Sequence, residues 1–149
     1  MDSEQLKQML SSMVPFNRHL GLEVLDVGLG HASVRLPEAP HLLNHVGTQH
    51  AAALYSVAEA ASGGAVIGAF ADRVGSVTPL AREAHIRYLK PARGPITAEA
   101  LIEREIASIN ETLDQTGRVD LPVHVALKDG AGVKVAEVTV GWHLRKNRQ

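Results

Sequence analysis

Between Ala51 and Ala71 the chain reads AAALYSVAEAASGGAVIGAFA, a long apolar run with a single charge, Glu59. A run of this kind is either a membrane span, which takes ~20 apolar residues, or the buried helix of a folded domain. Three features select the buried helix. The carboxylate falls near the middle, weakly hydrophobic Ala outnumbers Leu, and Ser56, Ser62 and the Gly63-Gly64 pair interrupt the run. No basic cluster flanks it to set an orientation in a bilayer. The fold is therefore arranged around one helix, and that helix keeps a carboxylate whose burial costs several kcal/mol unless it is paired or hydrogen-bonded.

The remaining segments supply a sheet. Leu6, Met9, Leu10 and Met13 form one helical stripe over residues 2–13, with Asp2 or Ser3 as its cap and Pro15 as its stop. LGLEVLDVG and HASVRLP read as a strand pair, and PEAPHLLNHVG as a loop leading to the long helix, at roughly 49–71 with Thr48 as its N-cap. Strands follow through REAHIRYLKPA and GPITAEALIE. Ile106, Ile109 and Leu113 mark a short amphipathic helix ending near Gly117, and the last strands form a hairpin around Asp129-Gly130-Ala131-Gly132. One apolar helix against one antiparallel sheet is an α+β domain with the sheet wrapped around the helix. At 149 residues the chain is read as a single domain, 1–149, in which 1–19 are an N-terminal helix and lead-in.

Composition narrows the chemistry. Aromatic residues are 3% of the chain, so Val, Leu, Ile and Ala must fill the core. With no cysteine there is no disulfide, thiolate metal site or cysteine nucleophile. A net charge of −1 gives no electrostatic case for nucleic acid or an anionic membrane, and 1–19 is too short for a DNA-binding element. His41, His45 and His50 lie in a loop at spacings unlike a zinc site, so no metal is expected. MDSEQLKQML lacks a basic segment followed by an apolar core, and the expected location is cytoplasmic.

HLLNHVGTQH, just before the helix, gathers His41, Asn44, His45, Thr48, Gln49 and His50. A polar approach to a helix with one isolated acid is either a catalytic site or a structural carboxylate satisfied locally. Asn44-His45-Val46-Gly47-Thr48-Gln49-His50-Ala51-Ala52 followed by Glu59, together with the later Tyr88-Leu89-Lys90-Pro91-Ala92, resembles hotdog-fold thioesterases of the phenylacetate-degradation type. The likeness runs from about Leu20 onward. The chain departs from it where two glycines become Ala51 and Ala52, where Glu stands for a common Asp, and in the insertion from Ile106 to Leu113.

The resemblance implies a hotdog acyl-CoA thioesterase that needs no cofactor, coenzyme A being part of the substrate. Glu59 would be nucleophile or general base, and Asn44 would orient the water or the thioester. The helix N–H groups near His50 and Ala51 would hold the carbonyl oxygen. His50 donates to that oxygen or caps a strand edge. Gly47, Tyr55 and Ser62 are assigned to the substrate site, Ser62 as a hydrogen-bond partner of Glu59. Arg82, Lys90 and Arg93 are assigned to the phosphates of coenzyme A. Eight residues of helix rise put Ala51 and Glu59 ~12 Å apart, so one chain cannot bring them together. Two helices antiparallel across a dimer axis can, with Ala52, Ala60, Gly63 and Gly64 permitting close approach. A homodimer or homotetramer is therefore expected. The alternatives are a non-catalytic acyl-CoA-binding hotdog protein, which the Ala51-Ala52 departure keeps open, and a hotdog hydratase or dehydratase using His45 or His50.

Overall fold

A computed structural model describes residues 1–148. Helix α1 (Ser3–Met13) opens with a reciprocal cap: Asp2 accepts from the Gln5 amide and Gln5 bonds back to the Asp2 amide. Pro15 does not simply end it. The chain bends at Val14 and restarts with Pro15 as the first residue of α2 (Pro15–His19), a position where proline lacks nothing the helix needs. Strands β1 (Glu23–Gly28) and β2 (His31–Leu36) follow, then a 3₁₀ turn at Pro40–Leu42 and the long helix α3 (Ala51–Ala69). The N-cap of α3 is His50, not Thr48. The His50 ring Nδ1 accepts the Ala52 amide, while the Thr48 hydroxyl is taken by Asn44.

The second half is β3 (Val77–Tyr88), β4 (Ile96–Leu101), α4 (Ile106–Thr116), β5 (Arg118–Lys128) and β6 (Lys134–Lys146). The β5–β6 turn is held by Asp129, whose carboxylate accepts the Ala131 and Val133 amides. All six strands form one antiparallel sheet in the order β1-β2-β4-β5-β6-β3. The sheet curves around α3, as the sequence anticipates.

The small residues of α3 serve this packing. A Cβ on Gly64 would lie 2.9 Å from Ala32 on β2, one on Gly68 would collide with the Gly28 carbonyl, and one on Gly63 would press on Trp142. Gly64 and Gly68 therefore seat the helix on its own sheet, whereas Gly63 is half-buried on the face the sheet leaves uncovered. The inserted α4 buries Ile109 and Leu113 completely, ends on Gly117 at φ +78°, and is tied by Arg73 to Asn110 and Asp114. It closes the core beyond the C-terminal end of α3.

Two surfaces are left uncovered by the sheet. On α3 the partly exposed residues Tyr55, Ser56, Glu59, Ala60, Gly63 and Ile67 recur at helical spacing, a stripe the sheet does not cover. On the edge strand β3, Ala81, Ala84 and Tyr88 pair with the buried Trp142, Val140 and Ala136, so they point to the helix side, yet they are exposed.

Candidate functional site

The loop before α3 is a built structure. The Asn44 carboxamide oxygen accepts the Val46 and Thr48 amides at 3.0 Å each, and its nitrogen donates to the Thr48 hydroxyl at 2.7 Å and to the Gln49 carbonyl at 3.5 Å. With both ends of the amide engaged, Asn44 holds the loop and has no free group for a water or a thioester, contrary to the sequence expectation. Gly47 at φ +79° is required by the turn that Asn44 closes, and open space surrounds it. Gln49 is buried and anchors the loop across the domain, its side-chain nitrogen donating to the Pro37 and Gly94 carbonyls at 3.0 Å. Its carboxamide oxygen is buried without a partner among the described residues.

This scaffold presents the start of α3. Because Nδ1 of His50 accepts the Ala52 amide, the neutral ring carries its proton on Nε2, an available donor on an exposed side chain. The Ala51 N–H has no acceptor among the described residues, while the Ala51 carbonyl accepts the Tyr88 hydroxyl at 3.0 Å. Tyr88 thus ties the end of β3 to the first turn of α3. Asn44, Ala51, Leu54, Tyr88 and Lys90 line a groove of about 380 Å³ here. Lys90 lines this groove beside the positive end of the helix, Arg93 lies outside its lining, and neither forms an ion pair among the described residues.

Glu59 lies two turns along the same helix and belongs to a different space. It is the one charged residue lining an apolar cavity of about 190 Å³. Desolvation in that wall raises its carboxyl pKa above the ordinary glutamate value. Tyr55, one turn earlier, has its phenol pushed up by burial and then by the Glu59 charge, which places the two side chains near one another. Ser62 does not hold the carboxylate. It is completely buried, donates to the Glu59 backbone carbonyl at 2.7 Å and accepts the Trp142 indole N–H at 3.0 Å.

Arg82 also leaves the expected cluster. It pairs with Asp120 on the outer face of the sheet, and eight residues of strand put it ~26 Å from Lys90. One chain therefore holds two separate features: a groove bearing Lys90 and a free amide at the start of α3, and a desolvated carboxylate beside an apolar cavity further along. Sequence reasoning missed Gln49 as the loop anchor, the Tyr88–Ala51 tie, and the cavity walls Met13, Val14 and Asn17. The Tyr88-Leu89-Lys90-Pro91-Ala92 motif carried a signal for the second of these. Nothing in residues 14–17 carried one for the third.

Comparison with known proteins bears on the fold that holds these features. The family model described as a domain of unknown function, DUF4442, matches residues 2–144. No curated protein matches the chain. Among solved structures, PA5026 from Pseudomonas aeruginosa, described as a protein of unknown function and probable thioesterase, is 27% identical. It superposes with a TM-score of 0.83 over 97% of this chain and 95% of its own. The Escherichia coli PaaI protein of the phenylacetic acid degradation operon is 18% identical, with a TM-score of 0.77 over 97% and 93%. A hypothetical thioesterase from Streptococcus pneumoniae, solved with coenzyme A, is 19% identical, with a TM-score of 0.67 over 86% and 88%. These likenesses and the sheet wrapped around α3 make the fold a hotdog.

Proposed function

From the premise that this chain belongs to the DUF4442 family and folds as a hotdog, we propose that it is an acyl-CoA thioesterase whose active site spans two copies of the chain. The observation that carries the proposal is Glu59, a carboxylate held in an otherwise uncharged wall beside an apolar cavity. The solved structures named for thioesterase activity or bound coenzyme A support the choice of substrate.

In this reading the free Ala51 N–H and Nε2–H of His50 donate to the thioester oxygen as it gains charge. Glu59 of the other subunit either takes a proton from the attacking water or attacks the carbonyl carbon itself. On the first route water oxygen bonds to that carbon, the carbon–sulfur bond breaks, and sulfur leaves as the thiolate of coenzyme A. On the second, the carboxylate oxygen bonds to the carbon, the carbon–sulfur bond breaks, the same thiolate leaves, and water then hydrolyses the acyl-Glu59 anhydride. Lys90 and Arg93 meet the phosphates of coenzyme A, and Asn44 acts through the loop as a positioning residue. The ~12 Å between Ala51 and Glu59 within one chain supports a shared site. So does the uncovered inner row of β3, which suits an antiparallel partner strand.

Thiol release from a panel of acyl-CoAs tests the proposal, and the chain contributes no thiol background because it has no cysteine. Turnover by the wild type and none by Glu59→Gln supports it. Saturable acyl-CoA binding without turnover would replace it with a binding protein.

A further inference from the structure

The cavity beside Glu59 is not made by the hotdog core alone. Its outer wall comes from the N-terminal helices, where Leu10, Met13, Val14 and Asn17 close over the uncovered stripe of α3. The opposite wall is α3 itself, at Glu59, Gly63 and Ile67. A Cβ on Gly63 would lie 3.4 Å from Trp142, another lining residue, in ordinary contact with it. The Trp142 indole N–H is already spent on Ser62 and the Ser11 hydroxyl on the Lys7 carbonyl, so most of the lining presents carbon to the space. The cavity thus asks for an apolar group attached to something that reacts at Glu59.

Its size limits that group. An apolar protein cavity of about 150 Å³ holds one benzene ring, whereas sites for larger ligands run from about 300 to 1,000 Å³. At about 190 Å³ this cavity takes one ring or a short chain and little more. Resting on the thioesterase reading above, we infer that the cavity is the acyl site and that α1–α2 set its depth. Its substrates are then thioesters whose acyl group is about six to eight carbons or a single ring, by comparison with that benzene-sized cavity. Long fatty acyl chains overfill it.

Hydrolysis of a saturated acyl-CoA series from acetyl to palmitoyl tests this. Each methylene moved from water into the cavity contributes about fourfold to kcat/KM, so the value climbs with chain length until the cavity is full and then falls. Ile67→Trp, which fills the cavity from α3, lowers the octanoyl-to-acetyl ratio of kcat/KM at least tenfold. Leu10→Ala and Val14→Ala, which open it from α1 and the α1–α2 bend, move the optimum to longer chains. Turnover that peaks at palmitoyl, or a chain-length profile unmoved by all three substitutions, overturns the inference and leaves the thioesterase reading standing. Absence of turnover with every acyl-CoA removes the thioesterase reading, and the inference with it.

Discussion

In the proposed mechanism, Glu59 is the residue at which stability and chemistry conflict. Its wall desolvates the carboxylate, so its folded-state pKa lies above its unfolded value. The folded protein then holds the proton more tightly than the unfolded chain. The stability this contributes is complete below the unfolded pKa and is lost as pH rises through the folded one. Glu59→Gln should therefore melt higher than the wild type at pH 7, by about 2–4 °C for each kcal/mol recovered in a chain of this size, and the gain should vanish near pH 4. A scan at both values checks this. The same shift bears on rate: a base is active when deprotonated, so kcat/KM should rise with pH through a value above the ordinary glutamate range. In the proposed site His50 belongs to the other half. His50→Ala removes the α3 cap and the Nε2 donor together, and should cost about 1 kcal/mol of stability and 10²–10³ in kcat. Loss of stability alone, with kcat intact, would reduce His50 to a cap.

At the scale of elements, α3 is shaped by what it must approach. Gly68→Ala should destabilise by about 1–3 kcal/mol, because the added methyl meets the Gly28 backbone and neither element can yield without moving the other. Ala51→Pro should cost little, although it sits in the same helix. Position N1 accepts proline, and His50 already has the extended backbone (φ −64°, ψ 140°) that a residue before proline prefers. Urea unfolding of the two variants separates these outcomes. The elements were legible because periodicity and caps are local: the β1–β2 pair, the Asp129 turn, α4 ending at Gly117 and the extent of α3 follow from neighbours in the chain. The partners of polar groups were not. Asn44 and Ser62 carry the side chains a catalytic site uses, and only their distances to Thr48, Gln49 and Trp142 reveal that both are occupied. Likewise, the helical stripe of residues 2–13 was visible, but not that α1 and α2 would fold over Glu59 to make a cavity.

At the scale of the molecule, the proposed site calls for a second copy: in one chain β3 has an inner row without a cover, and in this reading each half of the site lacks the other. A second copy supplies both if β3 meets β3. Ala84→Lys, a charge placed in that inner row, should give a folded monomer by sedimentation with thiol release lost. An active monomer would contradict the account. The pairing of half-sites can be tested directly by mixing Glu59→Gln with Ala51→Pro, unfolding and refolding them together at equal amounts. Each variant alone is inactive. In a mixed dimer one site is dead twice over, and the other joins an intact Glu59 to an intact Ala51 N–H. Half of random dimers are mixed and each carries one such site, so the account predicts recovery of about a quarter of wild-type activity. No recovery, with mixed dimers shown to have formed, would mean that each site lies within one chain.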